Sequence, residues 1–597
     1  MVLQTVDIAI VISYLLLTLF IGFYFSKKAS KNLDAYFLGG KSFPWYILGI
    51  SNASGMFDIS GTMWLIYLLF VYGLKSAWLP WLWPVFNQIF LMVYLSIWLR
   101  RSNVLTGAEW LTFRFGKGKG TTLSHISVVI FALVSTIGFI AYAFKGVGKF
   151  ASILLPWHIS PDIYALIIMG ITTLYVVKGG MFSVVLTEVL QFAIMTLASI
   201  AIGIIALIRV SPEMINRVIP DGWKNILFGW HLDLDWSGVM DSVNDKIARD
   251  GYSLFAIFFM MMLFKGILVS MGGPAPNYDM QRILAARSPK EAGLMSGFVN
   301  IVLIFPRYLM IAGFTVLALV FLRPELRAMG TNIDFESILP IAIMNFVPIG
   351  LLGVLLAGLL SAFMSTFAAT VNAAPAYLVN DIYKRYINPN ASQKKYVKAS
   401  YLATLAVAAA GIGFGFVAGS VSKITLWIIS ALWGGYAAPN ILKWYWWRFN
   451  GYGLFWGMTF GLITALVVPV LLPDVSALNS FPIILLVSSL ASFIGSLLTE
   501  PDDDEKLIKF YRTVRPWGFW KPIHAKVLAQ NPDFKKNENF RRDALNVIIG
   551  MIWQVSLTAL PVFIIIKETN AILIGIAILM MTFLILKKNW YDKLEQE

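Results

Sequence analysis

Tracts of about 17 to 25 mostly apolar residues recur along the whole chain, and each is long enough to cross a hydrocarbon core roughly 30 Å thick. Nothing else in the sequence constrains the fold so tightly. Lipid offers no hydrogen-bond partner to the backbone, so a run of such tracts folds as helices packed into one bundle. A soluble chain of 597 residues would divide into several domains. Here the hydrophobic share is 58%, the charged share 13% and the mean hydropathy +0.73, which favours the single embedded bundle. The 21 Trp suit the two membrane interfaces, where a ring can be wet on one edge and apolar on the other.

The pattern predicts fifteen helices, and Lys/Arg asymmetry orients them. Lys27, Lys28 and Lys31 follow the first helix, and Arg100, Arg101, Arg114, Lys117 and Lys119 follow the third. Arg282, Arg287 and Lys290 follow the seventh, and Lys384, Arg385, Lys394 and Lys395 follow the ninth. The 500–542 segment carries ten more Lys/Arg. All fall on the cytoplasmic side of a cell membrane if the N-terminus is outside, and the C-terminus then lies inside. The formal charge of +15 is thereby spread over short connections, which speaks for membrane orientation and against a nucleic-acid partner. The chain has no Cys, and its four His are scattered, so neither a thiolate site nor a His-based metal or catalytic cluster is expected. No enzyme constellation stands out. The first tract, about residues 5–25, lacks a basic n-region and a cleavage site and reads as a retained helix.

Two apolar tracts are interrupted. The second helix, about 44–74, contains Gly49, Ser51, Asn52, Ser54 and Gly55, then Asp58, Ser60 and Gly61; the seventh, about 252–275, runs into Gly272-Gly273-Pro274-Ala275-Pro276-Asn277. Gly lowers helix propensity and Pro removes a backbone donor. Unwound backbone at membrane depth is tolerated only inside protein or along a cavity. The breaks lie five helices apart on helices of opposite direction, the arrangement of two five-helix repeats with inverted topology. Matched interrupted helices point to a transporter's central site.

On the ninth helix, about 341–380, Ala362, Ser365 and Thr366 share one face. Two hydroxyls and a carbonyl there, with carbonyls from the first break, would offer about five oxygens to a hard monovalent cation. Ser/Thr stripes also serve helix packing. Solute-binding candidates come from the same regions: Asn52, Ser54, Phe57 and Asp58 at the first break, Asn277 at the second, Lys145 within the fourth helix, and the rings of Trp64 and Trp427. Glu188, Lys265 and Arg307 are further charges inside helices, where ionisable groups are costly and usually functional.

At these residues the chain resembles the sodium/solute symporter family of sodium–proline, sodium–sugar and sodium–sialic-acid cotransporters. The motifs are Tyr36-Phe37-Leu38-Gly39-Gly40, Gly179-Gly180 with Thr187-Glu188 and Gln191, Gln281-Arg282 with Leu284-Ala285-Ala286, Ala362 to Thr366 continuing to Asn372 and Asp381-Ile382-Tyr383, and Trp444 to Asn450. The resemblance covers roughly residues 1–520. It implies an all-α polytopic membrane protein with a leucine-transporter-like five-plus-five inverted-repeat core and alternating access. It carries the main sodium site to backbone oxygens of Ile50, Ala53 and Ala362 and to the hydroxyls of Ser365 and Thr366. A second sodium site of some relatives uses two more hydroxyls and an Asp; this chain has Ala368, Ala369 and Glu188 there, which favours one coupling ion.

The expected organisation is an extra helix and loop (1–43), a first repeat (44–210), an external loop (211–250), a second repeat (251–450), two accessory helices (451–499), a basic cytoplasmic linker lying on anionic headgroups (500–542) and a C-terminal helix pair (543–597). The expected function is sodium-coupled symport of a small organic solute, a sugar or polyol ahead of an organic acid or amino acid, by a monomer in the lipid bilayer. A channel or a transport-fold sensor is the rival class.

Overall fold

The computed structural model describes residues 3–82, 86–227, 230–250, 264–328, 333–417, 433–472 and 477–594. These are helical throughout, with no strand beyond one bridge between Trp446 and Phe519. The helices that position the site, in chain order, are α1 (Thr5–Tyr24), α2 (Trp45–Met56), α3 (Ile59–Tyr72), α4 (87–101), α5 (Gly107–Phe115), α6 (Lys119–Leu154) and α7 (Pro161–Arg209). They continue as α8 (264–271), α9 (Tyr278–Ala285), α10 (Pro289–Phe321), α11 (Leu351–Leu378), α12 (Gln393–Val417), α13 (Trp433–Tyr445), α14 (Gly451–Leu471) and α15 (Ala477–Leu497). The chain closes with α16 (Asp504–Val514), α17 (Phe540–Ile566) and α18 (Thr569–Asn589).

Caps written in the sequence start several of these. Thr106, Ser160 and Ser288 accept from backbone amides of the first turn of α5, α7 and α10, and Pro follows directly at the latter two. Among the described residues ten helices are long and apolar enough to cross a membrane, or eleven with α2 and α3 counted as one bent span. The 49 residues of α7 exceed any single crossing, and they divide at Gly180 (φ 50°, ψ −147°). A Cβ there would meet the Tyr36 carbonyl at 2.7 Å, so only Gly turns this corner. The expected fifteen helices include two stretches, 251–263 and 418–432, that lie outside the described residues.

Three expectations are corrected. The ninth predicted helix is two: Ile338–Phe346 is separated from α11 by Val347-Pro348 and by Gly350 at φ 83°. The first break is not at Gly49–Gly55, which are regular turns of α2, but at Phe57–Asp58, where the chain bends by 67°. Small residues in membrane helices permit close packing, and here they do: a Cβ on Gly49 would fall 2.9 Å from the Phe298 ring. The 500–542 segment is folded protein packed on the bundle rather than an extended linker. The apolar face of α16 is buried, Phe510 packs edge-on to Trp110, and Trp520 donates to the Trp444 carbonyl at 3.0 Å. Arg114 of α5 is sealed beneath, against both the Phe510 and the Trp520 rings.

Among the described residues the innermost membrane-spanning helix is α11, with 83% of its most apolar window buried against 11% for α18 at the periphery. α1 is anchored to α11 by Asp7, whose buried carboxylate accepts from Gly350 and Gly353 amides at 2.9 and 2.7 Å. At the same face of the bundle, the 208–250 connection closes over the end of α3. Trp223 and Trp236 are fully buried and donate to the Phe70 and Val71 carbonyls.

Candidate site at the broken helices

The first break meets α11. In the last turn of α2 the Phe57 amide bonds the Ser54 carbonyl, so the Ala53 carbonyl loses the donor a continuing helix would give it. The Thr366 hydroxyl donates to the Gly55 carbonyl at 2.7 Å and lies 3.1 Å from that of Ala362. The Ser365 hydroxyl stands 2.9 Å from that of Ser54. Ala53, Ser54, Ala362 and Ser365 are all buried. Ile50 is the member of the predicted set that does not join them. Its carbonyl lies inside α2, as that of Ala362 lies inside α11, but among the described residues no junction hydroxyl reaches it.

Beside this junction lies a buried ion pair. Both Arg282–Glu188 contacts of one guanidinium nitrogen are 2.8 Å, and both side chains are fully enclosed. Glu188 also accepts from Ser51, and its other oxygen lies 3.5 Å from Ser365 Oγ. Arg282 Nε reaches Ser51 Oγ at 3.2 Å. The carboxylate that would serve a second cation is therefore already neutralised.

The second break is satisfied differently. Gly273 takes φ 86°, and the freed carbonyls of Met271, Gly272 and Pro274 accept from Tyr445, Trp444 and Tyr436 of α13 at 3.1 Å each. Asn277 caps α9, its side-chain oxygen accepting from the Asp279 amide at 3.0 Å.

The solute candidates separate. Asp58 caps α3, accepts from Tyr142 at 3.1 Å and pairs with Arg307 at 3.6 Å. Arg307 in turn holds the Met56 carbonyl at 3.1 Å and lies over the buried Phe57 ring. Ser54 belongs to the junction with α11. Lys145 pairs with Asp162 at 3.0 Å on the partly exposed rim, so it is not a free cation in the interior. Trp64 is half-buried against the core. Trp427 lies outside the described residues. Lys265 is buried with its ammonium over the Phe481 ring at 5.5 Å and no hydrogen-bond partner among the described residues.

Asn52 alone leads somewhere unforeseen. It donates to Asp279 Oδ1 at 2.7 Å, Gln88 donates to the same oxygen at 3.1 Å, and Asn87 to Oδ2 at 3.3 Å. The sequence signal was available: Asn87-Gln88 interrupts an apolar tract, and Asp279 stands two residues beyond the second break. Nothing in one sequence says that they meet.

Two broken helices packed on a hydroxyl-bearing central helix define a class: ion-coupled secondary transporters. The sodium:solute symporter family model matches residues 36–461, so the chain belongs to the sodium:solute symporter family. It is 25% identical over 575 residues to the Bos taurus sodium/myo-inositol cotransporter, covering 87% of this chain and 76% of that one. It is 24% identical over 571 residues to the Danio rerio sodium/glucose cotransporter 4, covering 85% and 81%. Among solved structures, a sodium-coupled sialic acid symporter in a substrate-bound outward-open state matches with a TM-score of 0.65 at 18% identity, over 84% of this chain and 99% of that one. At that identity the likeness establishes the fold, the leucine-transporter-like core. The chain is a multi-pass membrane protein and a transporter, with sodium as its coupling ion.

Proposed function

We propose that this protein couples sodium entry to uptake of a sugar or polyol, with the N-terminus outside and the C-terminus cytoplasmic, and works as a monomer. The observation that carries the reading is the contact of the terminal turn of α2 with Ser365 and Thr366. Sodium there takes the Ala53 and Ala362 carbonyls and the two hydroxyls, with the Gly55 carbonyl in place of that of Ile50, and bridges the broken helix to α11. Because the ion favours the arrangement in which these helices touch, it biases the bundle toward the form that accepts solute, and by linkage the solute tightens sodium. Each sodium moving down 100 mV contributes roughly 2.3 kcal/mol.

A neutral, hydroxyl-rich solute is favoured over an acid by the state of the cations. Lys145, Arg282 and Arg307 are engaged by Asp162, Glu188 and Asp58, which leaves buried Lys265, over the Phe481 ring, as the one of these four without a carboxylate among the described residues. The relatives named for myo-inositol and glucose point the same way. The test is uptake of labelled myo-inositol and hexoses by proteoliposomes, with and without a sodium gradient. Saturable, sodium-dependent uptake is expected, and Ser365→Ala and Thr366→Ala each raise the sodium concentration for half-maximal rate. Unsaturable flux would mean a channel, and unchanged sodium activation in the double variant would remove the site.

A further inference from the structure

Asp279 is a buried carboxylate, 4% exposed, at the start of α9 between the two breaks, and no cation lies within ion-pair distance among the described residues. The nearest charge on its own helix, Arg282, is committed to Glu188. A lone charge at this depth costs several kcal/mol unless something compensates it. Three primary amides surround it, all at least nine-tenths buried: Asn52 from α2 and Asn87 and Gln88 from α4. Each points an N–H at the carboxylate, and the amide oxygens of all three, Asn52 Oδ1, Asn87 Oδ1 and Gln88 Oε1, are buried with no donor among the described residues. The cluster thus has too many acceptors and a net negative charge.

A primary amide has a donor end and an acceptor end of nearly the same size. Turned over, each of the three exchanges its N–H toward Asp279 for an oxygen. Since those oxygens now bond nothing, turning breaks no other oxygen contact. The turned cluster offers the carboxylate and up to three carbonyl oxygens around one point, a set that suits a hard cation, and the charge balances. We infer that Asp279, Asn52, Asn87 and Gln88 form a second monovalent-cation site, for sodium, inside the bundle and separate from the α2–α11 junction. In the cation-free form the amide hydrogens stand in for the ion. The site draws on α2, α4 and α9, so it ties both broken helices to a third element. The inference rests on sodium being the coupling ion and adds an ion to the cycle.

The test counts bound radiosodium on the purified full-length chain by scintillation proximity. Two sodium ions per chain are expected, one in Asp279→Asn, one in the Ser365→Ala/Thr366→Ala double variant, and none in the combination. Gln88→Met removes one oxygen and keeps the bulk; it weakens the second ion at least tenfold and leaves the first. If Asp279→Asn does not fold, Gln88→Met decides alone. One ion per chain, lost in the double variant and unchanged in Asp279→Asn or Gln88→Met, overturns this inference while leaving the proposed function in place. Two ions, neither touched by the double variant, would instead overturn the junction site. One ion, with a proton bound by the wild type and not by Asp279→Asn, would make the cluster a proton site and also overturn the inference.

Discussion

Glu188→Gln tests how the buried ion pair governs the proposed sodium junction. In the native protein the Arg282 guanidinium is neutralised by two 2.8 Å contacts. The nitrogen making them is 2.8 Å from a carboxylate oxygen that is itself 3.5 Å from Ser365 Oγ. Removing the negative charge leaves a fixed cation no more than about 6 Å from the hydroxyl that would hold sodium, and at an effective dielectric constant near 20 two unit charges at that separation repel by roughly 3 kcal/mol. At about 1.4 kcal/mol per decade, sodium binding weakens roughly 100-fold. The fold also loses on the order of 3–5 kcal/mol, because one partner of a buried pair is left alone, so the assay runs well below the unfolding temperature. The control is Glu188→Gln/Arg282→Met, which removes both charges and returns sodium affinity to within about tenfold of wild type. Half-maximal sodium concentration for uptake, and direct radiosodium binding, read the effect. An unchanged sodium requirement in the single variant, or a double variant as weak as the single, would refute the electrostatic argument.

Three other outcomes follow from the packing. Asp7→Ala removes two charge-assisted hydrogen bonds to the start of α11 and leaves its Gly350 and Gly353 amides without an acceptor, a loss of about 2–4 kcal/mol in unfolding experiments. Gly180→Ala, placed at φ 50° against the Tyr36 carbonyl, prevents the corner between the arms of α7 and yields aggregated protein in size-exclusion chromatography, whereas Gly170→Ala, with open space around it, elutes as wild type. Burial raises the Asp502 carboxyl from 3.8 to about 7, only partly offset by Arg114 and Arg448. Its folded value lies above its unfolded one, so its contribution to stability is present below about pH 4 and is lost as pH rises through 7. Limited proteolysis of 500–542 should therefore quicken from pH 5 to pH 8, and Asp502→Asn should flatten that dependence.

Much of the bundle is legible in sequence because lipid makes one demand on every crossing. An apolar tract of sufficient length with its backbone bonded internally is recognisable from composition, and caps such as Ser288-Pro289 mark where it starts. The stripe of Ala362, Ser365 and Thr366 is equally local, since positions three and four apart share a helix face whatever surrounds them. The position of a break is not local. Gly49–Gly55 looks weaker than Phe57–Asp58 by propensity, yet it stays helical because its small residues are filled by Phe298 and Tyr278 from neighbouring helices. Asp58, capping α3, and Arg307, holding the Met56 carbonyl, fix the bend two residues later.

From sequence alone came the membrane class, the paired interruptions and the hydroxyl stripe, each a property of adjacent residues and their period. Only tertiary structure decided which charges are spent. Glu188 meets Arg282 and Asp58 meets Arg307, while Asp279 meets amides from helices far away in the chain. The energy of a buried charge depends on its neighbours in space within a few ångströms, and those neighbours are chosen by how the helices pack.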